Sequence, residues 1–339
     1  MSTMKGWAVQ EAGKPLVLSE FDLGPLGSEE VEVAVDYCGI CHSDLSMIEN
    51  QWGMSKFPFV PGHEVVGRVT AMGANAKGLK IGQRVGIGWT ASTCMHCHQC
   101  LSGHQNLCAQ SQATIGGGHQ GGFSDKVRAH WAWAIPLPDG IHLPSAGPLL
   151  CGGITVLKPF LAYNVSPTAR VGVVGIGGLG HMAVKFARAW GCEVTAFTSN
   201  ASKADEARSF GAHNVVSSRD ANAIAGIAGS LDLLLVTVNV PLDWNALIGT
   251  LAPRGRMHVV GAVLEPIPVA AFSLIMTERE VSGSPTGSPV DIATLLDYAT
   301  RHDIRPQVEM FPMSEANAAL KHLIDGKARY RIVLEAQAA

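Results

Sequence analysis

The stretch VGVVGIGGLGHMAVKFARAWG, residues 171–191, decides how the rest of the chain is read. It starts as an apolar run, residues 171–174, and passes into Gly175, Gly177 and Gly180 at the spacing G-x-G-x-x-G, with Gly178 and Leu179 filling the turn. Leu179, Met182, Ala183, Phe186, Ala187 and Trp190 then recur at the spacing of one helical face. Strand, glycine turn and helix together form the context in which this motif binds a dinucleotide. The glycines let the backbone approach a pyrophosphate, and the helix start offers free N–H groups and the positive end of its dipole. A glycine-rich turn without a ligand is the competing reading, and the flanking strand and helix weigh against it.

Reading outward toward the C-terminus, strand-like segments (170–174, 193–198, 231–236, 257–260) alternate with helix-like ones (179–190, 202–210, 242–251). Such alternation predicts a parallel sheet covered by helices. Helices are expected over 291–302 and 314–325, and a last strand over 330–335. Toward the N-terminus, residues 1 to about 145 read as mostly β, with short runs such as 31–35 and 65–69 between closely spaced glycines. The end of the strand 193–198 selects the cofactor. An NAD site carries Asp or Glu about 20 residues past the motif, on the ribose 2′-hydroxyl. Here Glu193 comes too early, and Thr198, Ser199 and Asn200 stand where the acid belongs, with Lys203 just beyond. Hydroxyls and a cation suit a 2′-phosphate, so the site is read as one for NADP(H). Ser202 and Lys203 also serve as the start of the next helix, which does not exclude that role.

Of the 339 residues 47% are hydrophobic and only 16% charged, against roughly 25% charged in ordinary soluble domains, so much of the chain is expected to be buried. The formal net charge is -3 and no basic run stands out, which argues against nucleic acid or membrane as partner. The N-terminal residues carry charges and no apolar core, and no apolar stretch reaches the ~20 residues of a membrane span. A cytoplasmic location follows as an expectation, with thiols kept reduced. The eight cysteines are then metal ligands or buried thiols.

Four of them lie in CMHCHQCLSGHQNLC, residues 94–108: Cys94, Cys97, Cys100 and Cys108, spaced C-x2-C-x2-C-x7-C. Four thiolates close a tetrahedral zinc site and leave no position for substrate, so this set reads as structural, with His96, His98 and His104 as bystanders. A catalytic zinc needs three protein ligands and a vacancy. Candidates are scattered over YCGICHSD (Cys38, Cys41, His42), PGHEVVG (His63, Glu64) and PLLCGGIT (Cys151), and local spacing does not choose among them. Cys38 continues an apolar strand and reads as a buried thiol, as does Cys192.

The ordered set GICHSD, PGHEVVG, the four-cysteine lobe, PLLCGGITV, GIGGLGHMAVKFARAWG and RYRIVLE resembles the zinc-dependent medium-chain alcohol dehydrogenases, within them the cinnamyl alcohol dehydrogenase-like branch, nearly end to end. The resemblance implies a Rossmann-type doubly wound parallel sheet domain, residues 152–288, inserted in a β-rich GroES-like catalytic domain, residues 1–151 and 289–339. It implies that Cys41, His63 and Cys151 hold a catalytic zinc, that Glu64 sits behind the metal and ligates it transiently, and that Asp44 braces the ligand histidine. With the lobe, that makes two zinc ions per chain. Thr155 matches a threonine near the nicotinamide. Met47, Trp52, Met54, Trp89, Pro285 and Thr286 match the substrate pocket, and residues 272–282 a homodimer contact.

The implied activity is reversible hydride transfer between NADP(H) and primary alcohols or aldehydes, aromatic or medium-chain aliphatic, with zinc as Lewis acid. Ser43 matches the hydroxyl that takes the alcohol proton. Many relatives carry a histidine three residues further on, where this chain has Ser46, and Gln51 stands where the plant enzymes have an acid. Two rivals remain. A zinc-free NADPH reductase of the same superfamily would lack the cysteine sets. A zinc-bearing NADPH-binding regulatory or interaction protein would bind cofactor without turnover, and the open Cys-His-Cys set weighs against it.

Overall fold

The computed structural model describes residues 2–336, which form two compact units. One runs from Thr155 to Pro285. The other comprises the residues up to Ile154 and those from Thr286 onward.

The unit 155–285 is built on a six-stranded sheet: β1 (Arg170–Val174), β2 (Glu193–Thr198), β3 (Asn214–Ser217), β4 (Leu231–Val236), β5 (Leu251–Val259) and β6 (Glu280–Gly283). The spatial order is β3-β2-β1-β4-β5-β6, and every pair is parallel. A parallel sheet covered on both faces demands strands that are apolar throughout, and Val171, Val173, Val174, Leu233, Leu234 and Leu235 are all buried. Strand order reverses between β1 and β4, so the carboxyl ends of these two strands flank the crevice where such sheets take ligands. One expectation is corrected. β5 begins at Leu251 rather than 257, and the preceding helix covers only Trp244–Gly249. Pro253 and Gly255 lie within the strand, whose ladder has a register shift between Leu231 and Leu233 and Arg254 at φ 62.

The second unit centres on a seven-stranded, mostly antiparallel sheet. Its path runs Val308–Pro312, Arg331–Glu335, Glu30–Ile40, Val65–Met72, Arg84–Ile87, Ile135–Pro136, and Lys126–His130 also pairs with Glu30–Ile40. Its core packs Met4, Val33, Phe59, Ile87, Ile115 and Phe123. The short run expected at 31–35 continues to Ile40, and this extension positions the site. Cys38 is in register with Val65 on one side and Leu334 on the other, and Ile40 with Ile332. Cys41, the pair His63–Glu64 and Arg331 therefore converge at one end of three adjacent strands. Among the described residues no single helix is long and apolar enough to cross a membrane.

Candidate active site

Cys41, His63, Glu64 and Cys151 are buried, and one ligand atom from each lies within 4.8 Å of all the others. Cys41 follows the strand Glu30–Ile40 and caps the short helix His42–Ile48; His63 and Glu64 precede Val65–Met72. Cys151 ends the turn Gly147–Leu150. That turn comes close because Gly147 and Gly88 have no side chains. A Cβ on Gly147 would lie 2.5 Å from the Glu64 carbonyl oxygen, and one on Gly88 would lie 2.6 Å from that of Leu150.

Asp44 is fully buried and organises the set. Its Oδ1 accepts from the Gly62 N–H at 2.9 Å and lies 2.9 Å from His63 Nδ1; its Oδ2 accepts from the Cys41 N–H at 2.9 Å. A proton on Nδ1 leaves the Nε2 lone pair bare, 3.3 Å from Cys151 Sγ, the arrangement of a metal-ligating imidazole. Burial alone would push the His63 pKa down, but the Asp44 carboxylate outweighs it and the net shift is strongly upward. The hydrogen bond with Cys151 pulls the Cys41 thiol well below its ordinary range and drives Cys151 the other way. Two thiols and an imidazole gathered this closely are a donor set for a divalent cation such as zinc, which displaces their protons when it binds. Glu64 is ion-paired with buried Arg331 through Oε1, while its buried Oε2 has no partner among the described residues. Burial raises the Glu64 carboxyl to about 7 against the pull of Arg331. The room for Oε2 is made by Gly39, whose Cβ would collide with it.

Cys94, Cys97, Cys100 and Cys108 form the second group within 4.8 Å. Their Sγ separations of 3.9 Å (Cys94–Cys100), 3.9 Å (Cys97–Cys108) and 3.6 Å (Cys108–Cys94) match the edge of a tetrahedron of sulfurs about 2.3 Å from a central zinc, ~3.8 Å. Backbone N–H groups of Cys97 and Gln110 donate to Cys94 and Cys108 Sγ, each at 3.3 Å. His96, His98 and His104 are exposed and outside the group.

In the unit 155–285, Gly175 sits at φ +90 directly after β1, and a Cβ there would strike Val238. Gly177 faces open space, and a Cβ on Gly180 would collide with the Gly175 carbonyl. The first glycine thus makes the turn, the second leaves room for a ligand, and the third lets the helix Gly180–Trp190 pack against the strand end. Gly178 and Leu179 lie between, and Leu179 caps that helix. At the end of β2, Thr198 is buried and its Oγ1 accepts from the Asn200 N–H at 3.2 Å, while Ser199 and Asn200 are exposed. Lys203 Nζ donates to the Ile176 carbonyl at 2.9 Å, which places the ammonium against the glycine turn. Thr155, buried, opens this unit inside the helix Gly152–Ala162.

Ser43 Oγ lies 3.7 Å from Cys41 Sγ. Ser46, buried on the same helix, donates to Gln51 Oε1 at 2.9 Å. Trp89 stands edge-on to His63, ring centroids 5.0 Å apart, and Trp52 packs on Trp89 at 5.9 Å. Met47, expected at the pocket, is 1% exposed and packs beneath Gly116, whereas Met54 is 52% exposed. Sequence reasoning assigned no role to Arg331 or Thr237. Arg331 left one signal, a cation directly before the apolar run 332–334 of the last strand. Thr237 Oγ1 lies 2.9 Å from the carbonyl oxygens of both Val174 and Gly175 and backs the glycine turn; nothing local to it in sequence announces this.

Comparison with known proteins agrees with this geometry. Residues 27–139 match the family model of the alcohol dehydrogenase GroES-like domain, and residues 178–301 that of the zinc-binding dehydrogenases. The aldehyde reductase AdhA of Synechocystis sp. is 55% identical over 331 residues, 98% of this chain and 98% of that protein. A cinnamyl alcohol dehydrogenase structure from Sorghum bicolor superposes with a TM-score of 0.94 at 38% identity, covering 98% of each chain. The CAD of Helicobacter pylori, solved as a complex with NADP(H), gives 0.90 at 28% identity and 98% of each chain. End-to-end identity at this level, with both family models matched, means that the chain belongs to the zinc-dependent medium-chain alcohol dehydrogenases, in their cinnamyl alcohol dehydrogenase-like branch.

Proposed function

We propose that the chain is an NADP(H)-dependent enzyme with two zinc ions, interconverting aldehydes and primary alcohols, aromatic or medium-chain aliphatic. The observation that carries the reading is the buried Cys41–His63–Cys151 set braced by Asp44, with Glu64 held by Arg331. When bound there, zinc supplies a Lewis acid for the substrate oxygen, and NADP(H) supplies or accepts the hydride. The chain's own residues do the rest. Asp44 keeps the proton on His63 Nδ1 and so keeps Nε2 a ligand. Arg331 restrains the Glu64 carboxylate, leaving Oε2 as the one ligand atom free to approach the set. Ser43 Oγ receives the alcohol proton. Trp89, Trp52, Met54 and Thr286 border the substrate, and Thr155 the nicotinamide. Thr198, Ser199, Asn200 and Lys203 receive the 2′-phosphate, a reading supported by the absence of an acid at the strand end and by Lys203 lying against the turn. In the helix Ala271–Ile275 and its cap, Phe272 and Ile275 are each 70% exposed and Met276 64%, which supports a homodimer using this face. The protein works in the cytoplasm. A screen of aldehydes and alcohols with NADPH and NADH, on protein whose zinc content is measured, tests the reading. Bound NADPH with no turnover of any substrate would instead favour the regulatory protein.

Two variants probe its parts. Cys100→Ser should lose one of two zinc ions and lower the melting temperature and yield, because structural zinc contributes folding energy directly. Full zinc content and unchanged melting would contradict a metal in the lobe. Ser46→His should raise alcohol oxidation near neutral pH roughly tenfold and flatten its rise with pH. In the parent, the Ser46 hydroxyl donates outward to the amide of Gln51, a group that does not pass protons on, so oxidation should depend on hydroxide. The comparison requires a deuterated alcohol to show a full isotope effect, so that chemistry limits the rate. Superimposable pH profiles under that condition would place the proton's exit elsewhere.

A further inference from the structure

The four-cysteine loop closes on itself and yet reaches one distant point. Strands Thr90–Ser92 and Gln112–Ala113 pair at its base. Among the described residues, one hydrogen bond runs from residues 96–111 to a residue outside 93–112: Asn106 Nδ2 donates to the Thr286 carbonyl oxygen at 2.8 Å. Thr286 is where the chain re-enters the catalytic unit, directly after Pro285 ends the other one. Its neighbours are held as well. In the unit 155–285, Ser284 Oγ lies 3.0 Å from Nε2 of His258, a fully buried ring whose Nδ1 lies 2.9 Å from Ser282 Oγ. In the catalytic unit, a Cβ on Gly287 would lie 2.6 Å from Ile154 Cγ1, so only glycine lets the backbone close on the residue where the chain leaves that unit. Ser288, fully buried, caps the helix Pro289–Arg301 with Asp291. The orientation of the Asn106 amide is decided by the Thr286 carbonyl. Asn106 Oδ1 is buried without a partner among the described residues, and the flipped amide would set oxygen against oxygen.

We propose that Asn106 is a positioning residue through which the metal-bearing lobe holds segment 286–288, so that zinc in the lobe governs where Thr286 stands. The lobe then does more than stabilise itself: it fixes the re-entry point of the chain. The anchoring follows from the contacts above; its effect on substrate rests on the proposed place of Thr286 at the pocket.

The test uses full-length, zinc-loaded Asn106→Ala and Asn106→Asp variants. Both should keep the parent's zinc content. Amide exchange followed by mass spectrometry should accelerate within 284–292, about tenfold in Asn106→Ala for the loss of one part-buried hydrogen bond. It should accelerate further in Asn106→Asp, where a carboxylate faces the carbonyl. Cys100→Ser should accelerate the same segment although Asn106 is intact. The alcohol KM should rise about three- to tenfold, the size of one weakened contact, with kcat changed much less. Unchanged exchange in 284–292, or acceleration spread evenly over the chain, overturns the anchoring. A local acceleration with unchanged KM upholds the anchoring and removes Thr286 from the substrate pocket.

Discussion

Replacing Cys151 with serine should leave a folded protein that still binds NADPH and has lost turnover by ~10⁴-fold or more. A metal Lewis acid is worth several kcal/mol at the transition state, and each ~1.4 kcal/mol is tenfold in rate. Serine differs from cysteine by one atom, so the turn Gly147–Leu150 and its close approach through Gly147 and Gly88 survive the change. The hydroxyl, however, stays protonated where a thiolate is needed, and the set keeps only Cys41, His63 and Glu64. Metal analysis should find one zinc, held by the lobe, where the parent has two. Circular dichroism and NADPH fluorescence titration should overlay the parent's. An active Cys151 variant, or fully loaded parent with one zinc or none, would contradict the assignment.

The second large effect is the choice of cofactor. The unmodified enzyme should use NADPH over NADH by about a hundredfold in kcat/KM, the equivalent of ~3 kcal/mol from a cation and hydrogen bonds on the 2′-phosphate. Ser199 is exposed at the end of β2, and Lys203 reaches back to the Ile176 carbonyl beside the glycine turn. Ser199→Asp should shrink the ratio by repelling the phosphate and by offering a carboxylate to the ribose hydroxyls of NADH. Equal or better efficiency with NADH in the parent would overturn this reading. A ratio unchanged by Ser199→Asp would move the phosphate away from that strand end.

The sequence by itself determined whatever depends on neighbours a few residues apart. The glycine turn was legible because strand, G-x-G-x-x-G and helix are contiguous, and the turn needs a positive φ at Gly175 and an absent Cβ at Gly180. The four-cysteine lobe was legible because its ligands lie within fifteen residues and close on themselves. The open ligand set was not, and only the resemblance to a family chose Cys41, His63 and Cys151 from the scattered candidates. Tertiary structure alone decides that gathering. The register that sets Cys38 against Val65 and Leu334 is fixed by core packing across strands, and no periodicity within one strand encodes it. The same reason hid Arg331, which meets Glu64 only because the last strand pairs with Glu30–Ile40, and Asn106, whose partner Thr286 lies 180 residues away. Spacing in sequence records which residues share a turn or a face; which faces meet is settled by the burial of the whole chain.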